Sequence, residues 1–345
     1  MIALSAIVVV VAGLITVLLI NRRQPATPAP TPTPTVAPTS SGSAGIGVYA
    51  FTAGTQYVDD PAQVITKLKA ARFQPEGVDW VIGWRFIEPS QGQYDWTTLD
   101  NDLAAATGAG YRSFIEIIPG EDDPAWAVAA CPTVTVTLAT SGRTATMCVP
   151  TSAQFLALWT QMIAAFGQHF AGRAGLTMVQ ATGCGVQGEM QLPNHNAAFW
   201  AGYGLNSTTL LEAWEEVLSA WRKALPDIPS ALAIEEPLGA GNSNVLKPLL
   251  AYAQQHFGAM MWVQQNGLRQ GTKTDPGSYG GDLADASQWT TVGWQMYGAG
   301  TRNGDLALAV GGGLAAHPKY YEIYLSDILD PATAPTLGQL KAGRQ

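Results

Sequence analysis

The chain has 345 residues, 18 Lys and Arg against 26 Asp and Glu, and a formal net charge of −8 with only 13% charged residues. No basic face of the kind that a phosphate backbone demands can be assembled from that composition, which argues against nucleic acid as a partner. The length holds one catalytic-size domain plus an extension, and 11 Trp with 11 Tyr suit a surface that stacks on sugars.

Residues 2–20, "IALSAIVVVVAGLITVLLI", form an unbroken apolar run of the length that a bilayer core requires, so residues 1–22 are expected to be a transmembrane anchor or signal-anchor. Residues 23–44 are a Pro/Thr/Ser tract that cannot bury apolar area, and read as an extended spacer. The expected arrangement is a single-pass cell-membrane protein with residues 45–345 on the extracellular side. Arg22 and Arg23 follow the apolar run and nothing basic precedes it, which by the positive-inside rule points the other way. A start placed too far downstream would resolve that conflict.

Beyond the spacer, strand and helix signals alternate, the pattern of a parallel α/β sheet. Eight strands are predicted: Ile46–Phe51, Val78–Trp84, Ser113–Ile118, Thr177–Thr182, Ala231–Ile234, Ala259–Gln264, Thr291–Met296 and Tyr320–Tyr324. Helical periodicity marks the segments between them, such as 61–72, 152–172 and 208–226. Between strands three and four, Thr/Val alternation around Ser141-Gly142 predicts a hairpin bracketed by Cys131 and Cys148. A disulfide at its base is expected, although a two-residue turn sets Cys148 opposite Thr135. Cys184 is left over as a small buried residue. Thr97 or Thr98 reads as a helix N-cap.

Neither a GxGxxG after a strand nor a P-loop occurs, so no cofactor is expected. The four His residues form no HxH or HExxH group, so no metal is expected either. What the strand ends do carry is acid: Glu116, Glu189, Glu235, Glu236 and Glu322. Glu322 lies inside the apolar strand "KYYEIY", where a charge is costly unless paired or used; an ion pair with Arg85 is the alternative to a catalytic role. Strand alternation lets only one of Glu235 and Glu236 face inward.

The stretch "VDWVIGWRFIEPSQGQYDWTTLD" at 78–100, the loop "PGEDDPAW" after Glu116 and the "QATGCGVQGEM" segment around Glu189 together resemble the (β/α)8 glycoside hydrolases of the β-galactosidase and xylanase kind. The resemblance implies an α/β (β/α)8 TIM barrel over residues 45–345 that hydrolyses β-linked glycans or oligosaccharides with two carboxyl groups. It implies Glu189 as the general acid, with the second carboxylate drawn from Glu322, Glu236 or Glu116. Trp84, Glu88, Glu116, Trp126, His195, Asn266, Gln295 and Tyr297 are the expected substrate-binding residues. In retaining members the nucleophile ends strand seven, but "TVGWQMYGAG" places Gln295 there, and an amide cannot attack. A non-catalytic carbohydrate-binding barrel is therefore the alternative expectation.

Overall fold

The computed structural model describes residues 47–52, 60–138, 142–193, 196–239 and 244–341. Eight parallel strands close into a barrel: β1 (Gly47–Phe51), β2 (Gly77–Gly83), β3 (Arg112–Ile118), β6 (Leu176–Gln180), β7 (Ser230–Ala233), β8 (Met261–Leu268), β9 (Val292–Met296) and β10 (Tyr320–Tyr324), with β10 paired back onto β1. An antiparallel hairpin, β4 (Thr133–Thr137) and β5 (Thr144–Cys148), is inserted after β3. Each predicted strand is present, and helices lie between them at the predicted places, notably Pro61–Ala70, Ala153–Phe170 and Ser207–Ala224.

Local sequence explains the helix starts. Asp60 accepts the Ala62 N–H at 3.0 Å ahead of Pro61, and Ser152 accepts the Phe155 N–H at 3.2 Å. Asn206 and Thr209 form a reciprocal capping box. The helix after residue 96 begins at Thr97 with Trp96 in the cap position, so neither Thr97 nor Thr98 is the N-cap; Asp95 instead accepts the Thr97 N–H at 3.0 Å.

Three further expectations change. The strand that was to end at Trp84 stops at Gly83, and Trp84–Ile87 is a short helix. The sixth barrel strand begins at Met261 and runs on to Leu268, so Gln265 and Asn266 lie within it. The hairpin closes between Leu138 and Arg143, whose N–H···O bond is 2.9 Å, and this longer loop puts Cys148 opposite Thr133. Cys131, Cys148 and Cys184 are free thiols, so the expected disulfide is not formed; the Cys148 thiol donates to the Ala127 carbonyl at 3.5 Å instead.

The richness in Trp is mostly a matter of packing. Trp84, Trp159, Trp200, Trp214, Trp221 and Trp294 are fully buried between helices and sheet, where rings of this size supply most of the apolar area. The anchor and spacer expected over residues 1–44 lie outside the described residues. Among the described residues, no helix is long and apolar enough to cross a membrane.

Candidate active site

Strand alternation sorts the barrel interior into levels. The floor is apolar: Tyr49, Phe114, Met178, Ala231 and Tyr320 pack together with Trp262 against them. Two strand glycines make room for the rings. A Cβ on Gly293 would lie 2.2 Å from the Tyr320 ring, and one on Gly77 would lie 2.7 Å from the Tyr49 ring. Two residues further along the same strands come Asp79, Glu116, Gln180, Gln264, Gln295 and Glu322, all buried. At the carboxyl ends of the strands, where barrel enzymes hold their chemistry, stand Asn266, Tyr297, Tyr324, Glu235 and the loop carrying Glu189.

The Glu189 loop is built tightly. Both Trp159 Nε1 and Trp221 Nε1 donate to the Thr182 carbonyl, at 3.0 and 2.9 Å, fixing the chain as it leaves β6. The segment then folds back on itself, with the Gly183 N–H on the Gly188 carbonyl at 2.7 Å and the Val186 N–H on the Gln191 carbonyl at 2.8 Å. Gly185 is required here, because a Cβ would lie 1.9 Å from the Glu189 carbonyl oxygen. Gln187 has φ +54°, and its N–H is received by Glu121 Oε2 at 2.9 Å, a bond that ties the loop to the one after β3.

Glu189 is half-buried, and Asn266 Nδ2 donates to its Oε1 at 2.7 Å. Burial raises its carboxyl to about 7; the Asn266 bond opposes that rise, and the negative charges of Glu235 and Glu121 add to it. Glu235 accepts the Tyr279 hydroxyl proton at 2.7 Å, while the same hydroxyl oxygen accepts the Glu236 N–H at 3.1 Å. Burial and the Glu235 carboxylate together push the Tyr279 phenol well above its ordinary range. Tyr279 therefore keeps its proton and donates it to Glu235. Glu235 and Glu236 follow the end of β7 and are both half-buried, and it is the charge of Glu235 that acts on Glu189.

Glu322 is fully buried and its Oε2 accepts from Gln264 Nε2 at 2.9 Å. The same Gln264 nitrogen lies 2.8 Å from Asn266 Oδ1, and Tyr320 OH donates to Gln264 Oε1 at 2.7 Å. Glu322 thus sits one level below the mouth and reaches Glu189 only through two amides. It has no ion pair with Arg85, whose guanidinium is 3.0 Å from Asp122. Glu116 lies at the same deep level, 3.4 Å from Gln180 Nε2. Asp79, which carries no bond to either carboxylate oxygen, is the third member. Burial holds all three acids well above the usual carboxylate range, and their mutual repulsion raises Glu116 and Glu322 further. Gln295 is buried beside them with Oε1 unpaired.

Trp84 and Glu88 do not line the mouth. Trp84 is enclosed by Trp126, Phe155 and Trp159, and its Nε1 donates to Glu88 Oε2 at 2.8 Å. The other Glu88 oxygen receives the Gly92 N–H at 2.7 Å, and Trp126 Nε1 donates to the Glu88 carbonyl at 2.8 Å. The signature "WRFIEPSQG" is a self-satisfied loop clasp. Tyr297, by contrast, is 53% exposed beside the mouth. His195 lies outside the described residues. Among the described residues, no three His, Cys, Asp or Glu side chains gather in a way that could hold a metal ion. Asp79, Glu121 and Tyr279 were absent from the expected site, and Glu235 stood there only as the competitor of Glu236. Asp79 carried a usable signal, an acid at an alternate position in the apolar run "GVDWVIG".

A family model described as beta-galactosidase matches residues 61–199. No curated protein matches the sequence. Among solved structures, the catalytic domain of a β-amylase from Paenibacillus polymyxa is similar with a TM-score of 0.58 and 11% identity, over 82% of this chain and 94% of that one. A cold-adapted β-galactosidase from Rahnella sp. R3 gives 0.58 and 11%, over 87% of this chain and 56% of its own. Endo-glycoceramidase II from Rhodococcus sp., in a five-membered iminocyclitol complex, gives 0.52 and 13%, over 85% and 78%. The closed eight-stranded parallel barrel and these structural likenesses make the fold a (β/α)8 barrel, and the sequence similarity to the beta-galactosidase family runs over residues 61–199.

Proposed function

We propose that the protein is a glycosidase cleaving β-linked glycans or oligosaccharides, with Glu189 as the general acid and Glu235 as the ionised carboxylate. The observation that carries this reading is the split between the two groups: burial holds Glu189 near neutrality, while the Tyr279 hydroxyl favours the charged form of Glu235. Glycoside hydrolysis needs one carboxyl group in each state. Glu189 protonates the leaving oxygen, and Glu235 attacks the anomeric carbon or activates the attacking water. The match to the beta-galactosidase family supports a β-linked substrate. The apolar run and Pro/Thr spacer support a barrel tethered to the cell membrane.

Glu189→Gln is expected to lower turnover of a glycan panel by roughly 10²- to 10⁴-fold, and activity should fall as pH rises through about 7, where Glu189 loses its proton. Glu235→Gln should cost as much or more, and the anomer first released, read by NMR, separates attack on carbon from attack by water. Gln295, an amide at the strand-seven position, favours the second reading, a carbohydrate-binding barrel. Glycan binding with no product release in wild type, unaltered by Glu189→Gln, would select it.

A further inference from the structure

The loops after β8 and β9 carry two arginines at the carboxyl end of the barrel, the end at which Asn266 of β8 meets Glu189. Leu268 ends β8 opposite Met296, and its carbonyl receives the Tyr297 N–H at 2.9 Å, so Arg269 and Tyr297 stand side by side. The Arg269 guanidinium lies over the Tyr297 ring, 4.5 Å from its centroid. Asn303 knits the two loops together: its carbonyl receives the Gln270 N–H at 2.8 Å and its Oδ1 receives the Gly298 N–H at 3.0 Å. Arg302 folds against Gly298, where a Cβ would come within 2.8 Å of its Cδ. Tyr324, at the end of β10, has both Glu189 and Arg302 among its charged neighbours.

Both arginines are exposed, and among the described residues neither has a carboxylate partner. Arg85 pairs with Asp122 at 3.0 Å, Arg173 with Asp100 at 3.4 Å, and Arg222 donates to the carbonyls of Pro226 and Ile228, whereas Arg72 and Arg112 are exposed on the barrel without an ion pair among the described residues. A mouth bearing Glu189, Glu235 and Glu236, on a chain of net charge −8, repels anions unless cations are fixed within it. A neutral glycan would leave two unpaired guanidinium groups without a use. A planar guanidinium matches a carboxylate or a sulfate with two parallel hydrogen bonds, and stacking on Tyr297 orients it beforehand.

We propose that the glycan carries an anionic substituent, a uronate carboxylate or a sulfate ester, held by Arg269 and Arg302 beside the Tyr297 ring. The proposal rests on the sugar-site reading above and adds its substrate class. The test is calorimetric titration of the full chain, carrying Glu189→Gln to prevent turnover, with three probes: a glucuronate-terminated oligosaccharide, a sulfated counterpart and the neutral counterpart. At least one acidic probe is expected to bind about tenfold more tightly than the neutral one, and the preferred probe identifies the group. Arg269→Ala and Arg302→Ala should each weaken the acidic probe by about tenfold and leave the neutral one unchanged, with added salt eroding the difference.

Equal loss for acidic and neutral probes in Arg269→Ala would mean that the guanidinium only props the Tyr297 ring, and would overturn the proposal. So would binding of no acidic probe. Turnover by the wild type separates the two readings. A neutral glycan cleaved and an acidic one refused removes this proposal and keeps the glycosidase. An acidic glycan bound through both arginines but never cleaved keeps this site and removes the hydrolytic reading.

Discussion

The floor of the barrel and the level just above it are made by the same strands two residues apart, yet they follow opposite rules. Below, Tyr49, Phe114 and Tyr320 meet edge to face, at 6.5 and 6.3 Å between ring centroids, and bury apolar area with few polar groups to satisfy. Above, Asp79, Glu116 and Glu322 are buried with no cation between them, and Asp79 has neither carboxylate oxygen bonded. Burial of this kind costs stability unless the groups stay protonated. The lower level holds the barrel closed, and the upper level is tolerated because it supports the amides that reach Glu189.

The largest expected effect lies in the floor. Phe114→Ala removes a fully buried ring from the middle of that cluster and should destabilise the fold by about 3–5 kcal/mol, measured by denaturant unfolding. Because Phe114 touches no group of the mouth network, kcat of the folded fraction should hold. A loss below about 1 kcal/mol would mean that the floor is loosely packed, and the contrast between levels would fail.

The next effect lies in the acid level and depends on pH. Asp79 is held well above its ordinary value by burial, so the folded chain binds more protons than the unfolded chain once pH exceeds about 4. Its contribution is fully present below that pH and is lost as pH rises toward the folded value, by up to about 1.4 kcal/mol per unit. Asp79→Asn has no proton to lose. The variant should therefore gain on wild type steadily from pH 5 to 8 in parallel unfolding measurements, and a constant difference across that range would show that Asp79 is already ionised in the fold.

The same contrast explains which parts of the molecule could be read from sequence. Strands buried on both faces are continuous apolar runs, so all eight were legible, whereas the caps that start the helices, Ser152 and Asn206, came only with the structure. Acids within those runs were half legible: Glu322 stood out in "KYYEIY", while Asp79 passed unnoticed in "GVDWVIG" for want of the same argument. The residue string that looked most like a sugar site, Trp84 to Gly92, is a hydrogen-bonded clasp, since Glu88 spends both oxygens on Trp84 Nε1 and the Gly92 N–H. Sequence cannot tell a carboxylate that satisfies its own loop from one aimed at a ligand. The choice of Glu235 over Glu236 needed the Tyr279 hydroxyl, which donates to the Glu235 carboxylate and meets Glu236 only at its backbone N–H. Tyr279 and Glu121 reach the site from distant segments and have no local signature.

The smallest effects sharpen the comparison most, because they carry opposite signs. Asn266 stabilises the ionised form of Glu189 through a 2.7 Å bond, whereas the charge of Glu121 disfavours it. Asn266→Ala should therefore raise the Glu189 pKa above about 7 and carry the alkaline limb of the pH–activity profile upward. Glu121→Gln should carry that limb downward, and its side-chain oxygen still accepts the Gln187 N–H, so the loop keeps its anchor. Shifts of a few tenths of a pH unit to about one unit are expected for groups of this kind. Limbs that move in the same direction, or a Glu121→Gln limb that stays still while turnover collapses, would show that Glu121 acts by holding the loop and not through its charge. Only if neither variant moves the limb does the fall in rate above neutral pH belong to another group, and Glu189 loses the role of acid.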